Sequence, residues 1–407
     1  MDVDQTHGGG GPPVAAMPPA PGDSPPLGAA PVSLLDPETA LSLLRADPEM
    51  FAAFTGEPLL AVRVCGPRAL EVAAFARRLP CVLVGVAADP ADAPSGVESA
   101  GFDVLLTPQN APPAPWVGPL RPGQTTGDAL AAIAATARAV PSAAVAFAQL
   151  VRYSAGVDVD DAVVAESFTY STLQGGPEFA AWLAGHRAER ERRAARRAAA
   201  GGPAPAPEGR PATAPTTDPA VLVERDGDEL WVVLNRPRVH NAVSRDVRDG
   251  LVSAFALAGA DPSITRVRLR GAGRTFCSGG DLAEFGTLPD PARAHAVRTT
   301  RSIPLALLRC GRPVTAYVHG TCVGAGVEIP AFAERVVADP ATTFRLPELA
   351  MGLVPGAGGT SSIVRRVGRE RTAFMALTGW ALDTSVAADW GLVDEVRPVG
   401  GDQHPER

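Results

Sequence analysis

Gly320-Thr-Cys-Val-Gly324-Ala325-Gly326-Val-Glu328 follows the apolar run Val314 to Val318, and Phe344-Arg-Leu-Pro347-Glu348 is followed shortly by Pro355-Gly-Ala-Gly-Gly359-Thr360. The stretch from Arg312 to Thr360 therefore reads as a strand, a glycine-rich turn, a short helix, a second strand over Arg335 to Ala338, a Pro-Glu pair and another glycine-rich turn. Small residues in succession let a backbone approach a ligand closely, and a helix that starts there aims its free amides at that ligand. Two carboxylates just downstream of two such turns are more than folding alone requires.

The chain around this stretch has 407 residues, 46% of them hydrophobic, enough for one large core or two ordinary ones. A formal net charge of -7 gives no general attraction to nucleic acid or to an anionic membrane, so neither is expected as a partner. Cys65, Cys81, Cys277, Cys310 and Cys322 are scattered and odd in number, which fits free thiols in a reducing compartment. The opening residues lack a basic start with an apolar core, and no run reaches the length of a membrane span. A cytoplasmic protein is the expectation.

Composition divides the chain. Residues 1–34 hold a glycine run and several Pro-Pro pairs and are expected to be disordered. Asp36-Pro37-Glu38 then reads as a helix cap ahead of Leu41, Leu43 and Leu44. Over 35–125 the pattern is strand (Leu59 to Val64), helix (Pro67 to Arg78) and strands at Cys81 to Val86 and Phe102 to Leu106. Continuous apolar strands of this kind imply a sheet covered on both faces. Residues 126–198 read as helices throughout, with Val164, Phe168 and Leu173 on one face of the third and a solvated Arg/Glu end, Glu189 to Arg197, on the last. A Pro/Ala linker spans 199–218. The unit 219–400 opens with a hairpin about Asp226-Gly227-Asp228. Helix Ser244 to Leu257, strand Val267 to Leu269 and one helix from Ala292 to Leu308 follow before the central stretch.

Within that last unit the motifs fall in a known order. Asn235-Arg236-Pro237 with His240-Asn241-Ala242, Phe276-Cys-Ser278-Gly279-Gly280-Asp281-Leu282, Gly324-Ala325-Gly326 with Glu328, Pro347-Glu348, Pro355 to Thr360, and Ala387-Ala-Asp-Trp-Gly391-Leu-Val393 together resemble the crotonase (enoyl-CoA hydratase/isomerase) superfamily over most of its catalytic core. The fold class this implies is α/β, a crotonase-like ββα-superhelix core, with a degenerate crotonase-like region and helices ahead of it.

The resemblance also implies a chemistry. An acyl-CoA thioester oxygen would lie between the main-chain amides of Ser278 and Ala325, where two fixed donors stabilise an enolate as it forms. Gly279, Gly280, Gly324 and Gly326 would shape the two turns, and the helix that starts at Ala325 would add its dipole. Glu328 and Glu348 occupy the positions of the acid/base glutamates, one activating water for C3 and the other exchanging a proton at C2; each needs burial to raise its pKa. Asp281 is expected to cap or hold its loop, and Cys277 and Cys322 to pack rather than react. Arg236, Arg238, His240 and Asn241 correspond to the coenzyme A-binding region, with Arg245 a further phosphate candidate. The implied reaction needs no metal and no redox cofactor, since coenzyme A is part of the substrate.

Family members usually continue past the Gly391-Leu-Val393 segment with helices that cover the acyl pocket. Here the helices from Pro141 to Arg187 resemble that layer placed ahead of the core. Leu79 to Gly85 and Phe102 to Leu106 resemble strands of the same fold without the catalytic turns. The expectation is a degenerate half whose helices cover the pocket of an intact one, in a trimer or hexamer. Reversible hydration of a 2-enoyl-CoA is the leading activity. Double-bond isomerisation, cofactor-independent dioxygenation of an aryl-acetyl-CoA and a non-catalytic acyl-CoA-binding scaffold are the alternatives; the dioxygenase branch carries a glutamine where Glu328 stands.

Overall fold

The computed structural model describes residues 32–199 and 218–399; the expected N-terminal tail and the expected linker lie outside them except at their edges. Order begins with β1 (Leu34–Leu35) and α1 (Pro37–Ala46), whose Asp36 cap accepts from the Thr39 amide at 2.9 Å. Strand β2 (Leu59–Arg63), α2 (Arg68–Ala76), β3 (Val82–Val86) and β4 (Val104–Leu106) follow. The four strands are parallel in the order β1-β2-β3-β4. Period-two alternation splits their side chains between two cores. Leu60, Val62, Leu83 and Leu105 pack with Leu41, Leu44 and Val72 of α1 and α2, while Leu59, Ala61, Val82, Val84, Val104 and Leu106 face the opposite way.

That opposite face is covered by α3 (Thr126–Ala139) and α4 (Pro141–Ser154), followed by α5 (Val159–Gln174) and α6 (Pro177–Ala199). Arg152 of α4 locks the layer to the sheet: it donates to Asp103 Oδ1 at 2.7 Å and to the carbonyls of Arg77 and Cys81. Of the stripe expected on α5, Leu173 is buried but Val164 and Phe168 are not fully so. Ala162, Val163, Glu166 and Ser167 turn inward, and Phe168 stays largely exposed, stacked on His295 at 3.9 Å.

The second unit starts with the antiparallel hairpin β5 (Val221–Asp226) and β6 (Glu229–Leu234), then α7 (Arg245–Ala260) capped by Ser244, and β7 (Arg266–Gly271). The single helix expected over 292–308 is two, α8 (Pro291–Thr300) and α9 (Ile303–Arg309). Ser302 caps the second, and Pro304 in its first turn cannot continue the first. Next come β8 (Val314–Val318), β9 (Thr321–Val323), α10 (Ala325–Glu328), β10 (Arg335–Ala338) and β11 (Thr343–Arg345). The described residues end with α11 (Gly359–Val367), α12 (Arg369–Thr378), β12 (Leu382–Asp383), α13 (Thr384–Asp389) and β13 (Glu395–Val396).

One six-stranded sheet runs β13-β10-β8-β7-β6-β5, parallel except for the hairpin, and a three-stranded sheet runs β12-β11-β9. The parallel strands and crossover helices make this the α/β crotonase-like core. α3 and α4 pack on α11 and α12, and one contiguous apolar cluster takes in Ile133, Phe147, Phe255, Leu269, Phe344 and Phe374. Each large apolar side chain withdrawn into it contributes roughly 1.5–3 kcal/mol before entropy is counted.

Candidate active site

Two short strands set the geometry. β9 and β11 pair in parallel with Val323 opposite Arg345, and the Gly324 amide donates to the Arg345 carbonyl at 2.9 Å. The two chains therefore leave the sheet side by side, one into the Gly324-Ala325-Gly326 corner and the other into Pro347-Glu348. Gly324 has φ +51°, and a Cβ there would fall on Glu348 Oε1, so both conformation and contact demand glycine. The first loop lies alongside: the Phe276 amide donates to the His319 carbonyl at 2.9 Å and the Val323 amide to the Cys277 carbonyl at 3.1 Å.

These corners open on a cavity of about 520 Å³. Glycines 279, 280 and 324, Ala325, Glu328 and Glu348 line it, and Val163, Glu166, Tyr170 and Trp182 come to the same wall from α5 and α6. Gly326 holds the corner from behind, where a Cβ would strike the Cys277 carbonyl.

The expected pair of amides needs one correction. The Ser278 amide donates to the His240 carbonyl at 3.0 Å and is not available to a ligand. Among the described residues the amides of Gly280 and Ala325 donate to nothing, and both residues line the cavity. The helix dipole expected at Ala325 is also small, because α10 is a single turn of four residues.

Glu328 is 2% exposed and Glu348 8%. Glu328 Oε2 accepts from the Ala357 amide at 2.7 Å and the Gly359 amide at 2.9 Å, while its Oε1 accepts no hydrogen bond among the described residues. Glu348 Oε2 is buried without a partner. Burial raises the pKa of both carboxyls. The two amides that favour the charged form hold Glu328 back, whereas the neighbouring Glu328 charge drives Glu348 further up. The arrangement suits one glutamate as a base and the other as an acid.

Burial pushes the Cys277 thiol up to about 12 and Cys322 well above its usual value, which keeps both protonated and inert. Asp281 caps its own turn, accepting from the Ala283 amide at 2.9 Å.

The coenzyme A-binding residues expected from sequence do not reach the cavity. Asn241 is fully buried and acts as a staple, accepting from the Arg236 amide and donating to the carbonyls of Ala272, Thr275 and Phe276. The Arg236 guanidinium donates to the carbonyls of Asp218, Pro219 and Asn235. His240 takes a left-handed turn with φ +54° and lies beside Thr275, and Arg238 is outside the cavity lining. The arginines that do line it are Arg245, Arg248, Arg298, Arg301 and Arg345.

Sequence reasoning missed Glu166, Tyr170 and Arg298. For Glu166 a signal exists, a carboxylate inside the inward stripe Ala162, Val163 and Ser167; for Arg298 there is none. Glu166 is 2% exposed, and its pKa is raised by burial and by the Glu328 charge.

Residues 230–404 match the family model for enoyl-CoA hydratase/isomerase. A mevalonyl-coenzyme A hydratase of Beauveria bassiana is 36% identical over 180 residues, covering 42% of this chain and 64% of the relative. A 2,3-dehydroadipyl-CoA hydratase of Escherichia coli is 34% identical over 179 residues, covering 44% of this chain and 69% of the relative. Among solved structures, an enoyl-CoA hydratase of Mycobacterium smegmatis is 32% identical, covering 44% of this chain and 70% of that one, with a TM-score of 0.41. The chain thus spans about two thirds of the length of these proteins, and the matched part is its second unit.

Proposed function

The chain belongs to the enoyl-CoA hydratase/isomerase family, and on that premise we propose that it adds water reversibly to the double bond of a 2-enoyl-CoA. The carrying observation is the unequal treatment of two buried glutamates on one cavity wall. Glu328 is anchored through one oxygen by two amides and keeps the other free, while Glu348 has an unpartnered buried oxygen.

The thioester oxygen sits between the Gly280 and Ala325 amides. Glu328 takes a proton from water as its oxygen bonds to C3, and the π electrons move toward C2 and the carbonyl, where the two amides stabilise the enolate. Glu348 then gives its proton to C2. The net change is one water added, and the pair resets when a proton passes from Glu328 back to Glu348. Coenzyme A is carried by the substrate, and the N-terminal helices α5 and α6 serve as the cover over the acyl chain.

The test is a panel of 2-enoyl-, 3-enoyl- and aryl-acetyl-CoA esters in heavy-oxygen water. Incorporation of solvent oxygen at C3 with solvent hydrogen at C2 is expected. Migration of the double bond without oxygen incorporation would replace hydration by isomerisation, and consumption of dioxygen would overturn both.

A further inference from the structure

Four successive amides, from the turn before α11 into its first two residues, are shared between two carboxylates. Those of Ala357 and Gly359 go to Glu328 Oε2. That of Gly358 goes to Glu166 Oε1 at 2.6 Å, and the Thr360 amide and hydroxyl go to Glu166 Oε2 at 3.0 and 2.7 Å. One carboxylate comes from the catalytic core and the other from α5, so the turn is gripped from both sides by acids buried to the same degree. Any movement of the Glu166 side displaces the amides that aim Glu328.

On the reading that Glu328 is the base, we infer that Glu166 is a positioning residue, holding the turn 357–360 so that the free oxygen of Glu328 meets the water beside C3. Catalysis in the core then depends on docking of α5. All three groups that reach Glu166 are donors, which opposes the rise in pKa that burial causes, and both of its oxygens accept from the turn, so its part in the site is to hold that turn. The groups that face it are Glu328 of α10, Glu348 of the turn after β11, Tyr170 of its own helix, Arg298 of α8 and the Thr360 hydroxyl of α11. Arg298 does not neutralise it by contact, since that guanidinium donates to Ser171 and Gln174.

Substitutions of Glu166 and Thr360 in the full chain test this grip. Glu166→Gln keeps the length of the side chain but turns an amide NH2 toward an N–H donor, which loosens the turn. Turnover of a 2-enoyl-CoA is expected to fall about 100-fold with KM nearly unchanged, as for a misaligned base. The acid limb of the kcat–pH profile moves to higher pH, because the Ala357 and Gly359 amides that hold the Glu328 pKa down are no longer fixed. Glu166→Asp keeps a carboxyl but cannot span both amides, so kcat falls and the limb moves the same way. Thr360→Val, which alters no charge and keeps the backbone, shows a smaller shift in the direction of Glu166→Gln, and Thr360→Ser restores wild-type behaviour. An infrared titration of the Glu328 carboxyl band, isolated by difference against Glu328→Gln, reads the same shift without substrate. Unchanged turnover, limb and band in folded Glu166→Gln and in Thr360→Val overturn the inference. Retained turnover in Glu328→Gln would instead strike at the reading of Glu328 as the base, and the inference would fall with it.

Discussion

Replacing Glu348 with glutamine removes a carboxyl that is 8% exposed, has one buried oxygen without a partner among the described residues, and faces Glu328 and Glu166, with Arg345 as a positive charge that acts on it. In the folded protein its pKa is raised well above the ordinary value. The titration of such a buried acid costs the fold nothing while it is protonated in both states, below the unfolded pKa of about 4.3. As pH rises the unfolded chain releases the proton freely and the folded chain does not, and each unit of separation is worth about 1.4 kcal/mol against the fold. Leaving such a polar group unpaired costs about 1–3 kcal/mol. The glutamine has no proton to lose, so it carries only a pH-independent cost for its own amide. The stability of Glu348→Gln relative to wild type is therefore expected to improve steadily as pH rises from about 4.5 to about 8, by about 1.4 kcal/mol for each pH unit above the unfolded pKa until the folded group ionises. Turnover should be lower by roughly 100-fold or more, because the donor to C2 is gone. Urea unfolding across that pH range together with C2 deuterium exchange reads both quantities. A stability difference that does not vary with pH would refute the claim that Glu348 is buried as a neutral acid, and undiminished exchange would refute its role.

Glu328→Gln should abolish hydration while leaving binding of a CoA ester within about threefold, measured by calorimetry, since a lost proton acceptor acts on the transition state. In the wild type, hydration requires Glu328 charged; its pKa is raised by burial, so activity should be lost as pH falls through a value above the ordinary carboxylate range, as a kcat–pH profile would show. Gly324→Ala forces a side chain onto Glu348 Oε1 at φ +51°, and a loss of about 1–3 kcal/mol in stability with a larger loss of turnover is expected by urea unfolding and steady-state kinetics. Arg152→Ala strands the buried Asp103 carboxylate and should cost about 3–5 kcal/mol by the same unfolding assay, with little change in kcat of the molecules that remain folded.

The second unit was legible because its local signals agree with one another: an apolar strand, small residues, then a carboxylate at a fixed offset, twice. Legibility stopped where a group's role depends on what it meets across the fold. Ser278 and Gly280 are two residues apart in the same loop and equally small, and only the His240 carbonyl, brought in by a left-handed turn, decides which amide is spoken for. Asn241 was misread for the same reason. An asparagine beside arginines suits a ligand site, yet here its amide bonds to the carbonyls of three residues that lie about thirty positions away. The break between α8 and α9 was visible in sequence, since Ser302 and Pro304 are a cap and a first-turn proline that open a new helix.

The first unit shows how a face that is idle in sequence becomes necessary in structure. Strands β2 to β4 are apolar on both sides, and α1 with α2 covers one side only. The other side passes through α3 and α4 into the same apolar cluster as β6, β7 and β8, so the hydrophobic burial of the first unit is completed by the second. Once α4 is fixed in that cluster by the Arg152–Asp103 pair, α5 has little freedom in where to place its inward stripe. A carboxylate in that stripe would be costly anywhere else, because burying it without donors is expensive. Against the 357–360 turn it finds two backbone amides and a hydroxyl, so Glu166 has a satisfied place only while the two units are packed together.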